Sequence, residues 1–488
     1  IIQAEGFTEV RGTWDEDFAL LKPLLDRNYC LGINSIVFHV NTHNPWTDRA
    51  PGMTLDGIGT FFQRDNTWWR EMPAFTDYIK RCQALLQYGS NVADIAVYTG
   101  DETPRRALLP ERLVSSLPGL FCEKDIQRER ARLANIGQPL EVSPVGVTHT
   151  ANMTKADAWT NPLRGYRYDS FNHDVLTKAR VENGMIVTAG GTKYGALVIP
   201  QARPMNPNRI VTCWNVIDSL EAKGARVIRK PWTQSDLSSI GIKRDITLPE
   251  GIDYVHRHAE DADIYFMSNQ TDKTISFMPE FRAVRANKYI ADPMTGKVYN
   301  AQNQLTLTAG ASLFVVLTDQ NIDAEDMPDM SKYDTAISLD DNKWTVKFEK
   351  TGKQVTTKKL FDWSKADDQS IKFYSGHATY ETTFKYKGKP EGRVFIDLGE
   401  VADIATVYVN GKMCGTAWMP PYNVDITPAV KKGKNELKIV VVNTWANALQ
   451  GNDQGTPPFE GIWTNGKYRR ASKELLPAGL LGPVVIKN

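Results

Sequence analysis

The sequence predicts a multidomain chain of α/β plus all-β class that begins with the carboxyl-terminal part of a (β/α)8-type barrel. Three observations carry this. Two short apolar runs, Ile1 to Ala4 and Ile33 to Phe38, each end in polar groups, Glu5 and His39, as barrel strands do at the mouth of a site. Between Val92 and Ile228 buried strands occur with a helix between the last two, and this strand, helix, strand order points to an open parallel sheet. From Asp261 onward the chain breaks into short β-rich runs separated by turn residues. The expected segments are 1–90 for the barrel part, 91–255 for an α/β domain, 256–335 for a small β domain and 336–488 for a β-sandwich.

Each element has a local reason. Asp15-Glu16-Asp17 precedes Phe18 to Leu25 and reads as a helix start, where negative charge favours the macrodipole. Phe75, Tyr78, Ile79, Cys82, Leu85 and Leu86 recur at three and four residues, with Gly89 as a stop, so an amphipathic helix is expected there. Between them, Val40 to Pro73 shows no regular period, and a loop of that length after a barrel strand is usually functional. Val92 to Tyr98, Tyr194 to Pro200 and Ala225 to Ile228 read as buried strands, with a helix over Ile210 to Leu220 ended near Gly224. No nucleophile elbow occurs around Cys122 or Cys213, so this α/β domain is read as structural.

Further strands are expected at Asp263 to Met267, Thr274 to Met278, Ala311 to Leu317, Tyr380 to Tyr386, Arg393 to Leu398, Ala405 to Asn410 and Glu436 to Asn443. The dipeptide Asn410-Gly411 suits a tight hairpin.

Composition narrows the function classes. Lys plus Arg number 58 against 57 Asp plus Glu, with no basic block interleaved with aromatics, so a nucleic-acid partner is excluded and a neutral sugar suits. Cys30, Cys82, Cys122, Cys213 and Cys414 are odd in number and widely scattered, unlike a disulfide framework or a structural zinc site. No run of about 18 apolar residues is present, so no membrane-spanning helix is expected. Ile1 lies inside a strand-like segment without an initiator Met, and the sequence reads as a processed or truncated chain.

Several motifs, taken together, mark a family. Ala4-Glu5-Gly6-Phe7-Thr8, Gly32-Ile33-Asn34, Phe38-His39, Asn44-Pro45, Pro51-Gly52-Met53-Thr54, Phe62-Gln63-Arg64 and Trp68-Trp69 resemble the carboxyl-terminal half of the catalytic barrel of family 106 glycoside hydrolases, the α-L-rhamnosidases. The α/β segment resembles an amidotransferase-like accessory domain. Val409-Asn410-Gly411, Trp418, Pro421-Tyr422 and Val442-Asn443-Thr444-Trp445 resemble the galactose-binding-like sandwich of family 2 and family 106 glycosidases.

Glycosidic bonds are cleaved between an acid and an opposing carboxylate. Glu5 is the candidate catalytic carboxylate, by its place at a strand end and by the resemblance. Glu9, Asp15, Glu16, Asp17, Asp48, Asp56, Asp65 and Glu71 are the nearby acids from which a partner would come; Asp15, Glu16 and Asp17 are discounted as a helix start. The resemblance places the general acid in upstream barrel strands that a companion segment of the same protein would supply. His39, Asn41 and His43 alternate along an extended path and are candidate sugar-binding groups, with satisfied structural roles as the alternative. Arg64, Asp65, Trp68 and Trp69 are a candidate subsite wall or a pinned loop. The resemblance also implies a calcium ion contacting sugar hydroxyls, but no sequence pattern assigns its ligands.

The expected activity is release of terminal α-L-rhamnose from an oligosaccharide or polysaccharide with inversion, in a periplasmic or extracellular setting. The rivals are another exo-glycosidase, β-galactosidase-like or glucuronidase-like, and a non-catalytic carbohydrate-binding fragment.

Overall fold

The computed structural model describes residues 1–8, 12–55, 58–100, 165–199, 213–228, 237–388, 392–466, 468, 470 and 472–488. Cys122, Glu9, Asp56 and the first residues of the helix expected from Ile210 lie outside these. The chain divides into two compact units, one made of 1–25, 35–82 and 327–488, the other of 26–34 and 83–326.

In the first unit, strands β1 (Gln3–Gly6) and β2 (Ser35–Phe38) run parallel, joined by helix α1 (Phe18–Cys30). Helix α2 (Met72–Leu86) follows the loop after β2, as the three-and-four spacing predicts, and Gly89 beyond it takes φ +63°. Asp17 caps α1: its Oδ1 accepts the Leu20 N–H at 2.8 Å. Phe18 and Phe75 stack face to face at 5.0 Å, and Lys22, fully buried, places its ammonium over the Tyr78 ring at 5.1 Å.

The carboxyl-terminal part of this unit is built on a sandwich of two sheets. One has six antiparallel strands in the order Gln354–Thr357, Trp344–Phe348, His377–Tyr386, Gly433–Val442, Ile404–Val409 and Lys412–Ala417. The other has four, in the order Thr335–Ser338, Val485–Lys487, Phe395–Asp397 and Asn423–Asp425. Alternating side chains from both sheets, among them Trp344, Tyr380, Ile396, Val407, Ile439 and Ile486, form one core. The Asn410-Gly411 turn closes the hairpin between Ile404–Val409 and Lys412–Ala417 with both residues at positive φ, the geometry that such a pair favours. The Tyr380 hydroxyl accepts from Trp363 Nε1 at 2.7 Å and from the Leu480 N–H at 3.1 Å. Gly479, at φ +106°, allows that contact, because a Cβ there would meet Trp363 Nε1 at 2.5 Å.

The second unit contains the expected open sheet. Val227–Ile228, Ala196–Val198, Ile95–Gly100 and Tyr168–Asn172 lie side by side, all parallel. Both faces are buried. Ala96, Tyr98 and Leu197 pack with Ile217 and Leu220 of the helix Trp214–Ala222, while Ile95, Val97 and Val198 pack with Tyr166, Leu237 and Ile242. A seven-stranded, mainly antiparallel sheet follows, with Ala262–Asn269 buried throughout. On its strand Ile252–His258, His256 lies between two aspartates, its Nδ1 2.9 Å from Asp245 and its Nε2 3.1 Å from Asp263. Burial opposes the charge on that imidazole, but the paired carboxylates outweigh it and raise its pKa.

Candidate active site

The site is built where β1 and β2 end. Glu5 pairs in register with Val37, and Gly6 with Phe38, so the two strands finish level with each other. Side chains alternate across them. Gln3, Glu5 and Val37 occupy an exposed face, whereas Ala4, Gly6, Ile36 and Phe38 are partly covered. On the exposed face Gln3 Nε2 donates to Ser35 Oγ at 3.1 Å. Glu5 Oε1 then stands 3.8 Å from His39 Nε2, with the Glu5 side chain 64% and the His39 side chain 17% exposed.

His39 is held from behind. Its N–H donates to Gly6 O at 2.9 Å, and its carbonyl accepts from the Thr60 N–H at 3.1 Å. Gly59, at φ +105°, comes so close that a Cβ would lie 2.8 Å from His39 Nδ1. Phe7 sits on Phe38, Phe62 and Phe75 at ring separations of 5.6–6.1 Å, which fixes the turn that follows Glu5. The result is a carboxylate with an imidazole at its side, both on a framework of packed aromatics. Such a pair can orient a water or a sugar hydroxyl between two polar groups.

The other expected contacts separate into two groups. His43 is exposed in the loop after β2, and Trp69, 39% exposed, begins a short 3-10 turn, so both present atoms to solvent. Asn41 is exposed but its Nδ2 donates to Phe62 O at 2.9 Å, a tie within the loop. Since β2 stops at Phe38, the expected period-two path through His39, Asn41 and His43 is not strand geometry. Arg64 and Asp65 act on the loop as well: Arg64 Nη2 donates to the carbonyls of Asn44 and Trp46, and Asp65 Oδ2 accepts from Asn44 Nδ2 at 2.7 Å. Trp68 requires correction. It is 1% exposed, its Nε1 donates to Glu16 O, and its ring packs on Phe18 and Phe62, so it belongs to the core and walls no subsite.

The acids considered as partners for Glu5 are committed elsewhere. Glu71 is buried and lies 3.1 Å from His377 Nε2, Asp48 pairs with Arg49 at 3.0 Å, and Asp15 accepts from the Thr13 hydroxyl. Asp17 is the helix cap already described. None of these four is therefore assigned as the second carboxylate, while Glu9 and Asp56 lie outside the described residues. Sequence reasoning also missed a cluster of unpartnered groups: His39 Nδ1, Thr42 Oγ1, Asn44 Oδ1 and Thr60 Oγ1 are buried without a hydrogen-bond partner. Their only signal in the sequence was a polar, irregular loop.

Asp17 has an electrostatic consequence. Burial, with a further contribution from Asp15, pushes its pKa up to about 6, and burial together with the Asp17 charge raises Asp403, whose Oδ2 accepts the Thr444 N–H. For Asp17 a folded value above the unfolded one means that the stability it contributes is fully present below about pH 4 and is lost as pH rises through about 6, and the raised Asp403 acts in the same direction. Asp403→Asn retains an acceptor for Thr444 and removes the repulsion. We expect it to melt higher than the parent at pH 7.5 and to show a flatter dependence between pH 5 and 7.5; equal slopes in thermal melts would contradict the coupling.

Among the described residues no three His, Cys, Asp or Glu side chains converge as a cation site. No residue is assigned to the expected calcium ion, and no step is routed through one. No described helix is long and apolar enough to cross a membrane.

Known proteins resemble this chain in sequence and in fold. The family model described as alpha-L-rhamnosidase, Glyco_hydro_106, matches residues 1–123 and 213–305. A second model, the glycosyl hydrolase 2 galactose-binding domain-like family, matches 342–473. The whole chain superposes on a rhamnosidase from Novosphingobium sp. PP1Y with a TM-score of 0.78 and 26% identity, covering 47% of that chain. A curated protein from Formosa agariphila, described as "Putative beta-glucuronidase", is 22% identical across all of this chain and 63% of its own length. The chain spans about half to two thirds of the length of these two relatives. The resemblance read from the motifs around Glu5 and His39 therefore extends to the structure of the whole chain.

Proposed function

We propose that this chain carries part of the active site of an α-L-rhamnosidase that releases a terminal rhamnose from an oligosaccharide or polysaccharide. The observation that carries the proposal is the Glu5–His39 pair at the level ends of two parallel strands, on their exposed face. In this reading Glu5, as a carboxylate, takes a proton from the attacking water while His39 orients the carboxylate or a ring hydroxyl. A general acid across the sugar protonates the leaving oxygen, giving single displacement with inversion. That acid, and the strands that cover the exposed face of β1 and β2, come from a further segment of the same protein as part of a (β/α) barrel. The setting is periplasmic or extracellular, as suits a glycan substrate.

A glucuronide would place a carboxylate near this loop. The neighbouring cations are already paired, Arg64 with Asp65 at 3.5 Å and Arg49 with Asp48 at 3.0 Å, which favours a neutral sugar. The test is proton NMR of the first sugar released from 4-nitrophenyl α-L-rhamnoside by the full-length protein. Inversion gives the β anomer first. Initial release of the α anomer would refute the single-displacement step, and no release would refute the reading as a whole.

A further inference from the structure

The loop after β2 does not end at the strand mouth. Strand β3 (Ala50–Gly52) pairs in parallel with Ile462–Thr464 of the sandwich, with Pro51 opposite Trp463. The seam is tight: the Ala50 N–H donates to Gly461 O at 2.9 Å, and Asn465 Oδ1 accepts from the Thr54 N–H at 2.6 Å. Gly461, at φ +79°, lies against the Asp48 carbonyl, where a Cβ would come within 2.6 Å.

At the outer end of the seam two indoles meet at a right angle. Trp46 and Trp463 have ring centroids 5.2 Å apart and planes at 80°. The Arg49 guanidinium lies 5.0 Å from the first ring and 5.9 Å from the second, and is gripped by both oxygens of Asp48 at 3.0 Å. Trp46 keeps 37% of its surface in solvent and the Asp48 side chain 67%. Part of the Trp46 indole thus faces solvent beside the ion pair. Its backbone is fixed from below, because Arg64 Nη2 holds the Trp46 carbonyl at 3.0 Å and the Asn44 carbonyl at 2.9 Å.

We propose that Trp46, Trp463 and the Asp48–Arg49 pair form a subsite for the sugar ring on the leaving-group side of the scissile bond. The inference rests on the rhamnosidase reading of Glu5 and His39. Trp46 follows Phe38, the last residue of β2, by eight positions, so it lies on the loop that leaves the strand end carrying His39. A terminal sugar held at Glu5 must direct the rest of its glycan outward, and this loop offers an aromatic face with hydroxyl-binding groups beside it. An indole stacks on the C–H face of a pyranose, while Asp48 accepts and Arg49 donates to equatorial hydroxyls. Because the ion pair is internally neutral, the subsite suits an uncharged ring. The consequence is a preference for oligosaccharides over rhamnosides with small leaving groups.

The test uses the full-length protein and two substrates, a rhamnose-terminated oligosaccharide and α-L-rhamnosyl fluoride, whose leaving group is too small to reach Trp46. For Trp46→Ala the ratio of kcat/KM on the oligosaccharide to that on the fluoride should fall at least tenfold, mostly through KM. Trp46→Phe, which keeps a flat apolar ring, should recover most of it. An unchanged ratio overturns the subsite, and so does an equal loss on both substrates, the mark of a merely structural Trp46. If the parent enzyme cleaves neither substrate, the rhamnosidase reading fails. Calorimetric titration with the same oligosaccharide then decides the subsite alone: equal affinity in parent and Trp46→Ala, or no binding by either, overturns it.

Discussion

Replacing Glu5 by Gln in the full-length protein is expected to lower kcat on an aryl α-L-rhamnoside by at least about a hundredfold, the lower end of what a positioned acid or base supplies. The substitution keeps the shape of the side chain and its reach toward His39, but an amide cannot take the proton of the attacking water. The Glu5 side chain is 64% exposed, so its replacement costs the fold little. Unchanged melting with collapsed turnover is the expected combination. Near-normal turnover by a folded Glu5→Gln would take Glu5 out of the reaction. His39→Ala should lower turnover less, since His39 only orients, and its ring also fills the space in front of Gly59.

Trp445→Ala is expected to cause the largest loss of stability, about 3–5 kcal/mol for a large side chain removed from a packed interior. Trp445 is 1% exposed and shares a cluster with Trp14, Phe61 and Leu449. Its Nε1 donates to Asp65 O at 2.9 Å, and the Lys350 ammonium lies over its ring at 3.8 Å. One residue of the sandwich thereby steadies the loop segment that holds Asn44 and the Trp46 carbonyl. Trp445→Phe keeps most of the burial but strands the Asp65 carbonyl, at a cost of about 1–3 kcal/mol. Thermal melts that place the two variants level, or either one within error of the parent, would show that the contact is not what holds the loop.

Local physics made much of the fold legible. The three-and-four spacing from Phe75 gave α2, the Asn410-Gly411 pair gave its hairpin, and the apolar runs at Val92 and Tyr194 gave neighbouring parallel strands. The pairing of Glu5 with His39 was also readable, because both stand at the ends of apolar runs. What escaped was set by contacts distant in sequence. Nothing near Trp68 says that its ring will meet Phe18 and Phe62, so exposure could not be told from burial. The alternation of His39, Asn41 and His43 looks like a strand edge, yet the backbone there bonds to the segment around Thr60 and Phe62. The seam between Ala50–Gly52 and Ile462–Thr464 joins segments more than 400 positions apart, and the Trp46–Trp463 corner exists only because of it.

The central claim, that the Glu5–His39 end of this sheet serves rhamnoside hydrolysis, is tested most directly by one side-by-side assay. The full-length protein is given 4-nitrophenyl α-L-rhamnoside and 4-nitrophenyl β-D-glucuronide at equal concentration, and nitrophenol release is followed for each. The account predicts release from the rhamnoside that is abolished by Glu5→Gln, with the glucuronide left intact. Release from the glucuronide alone, or rhamnoside cleavage indifferent to Glu5, would contradict it.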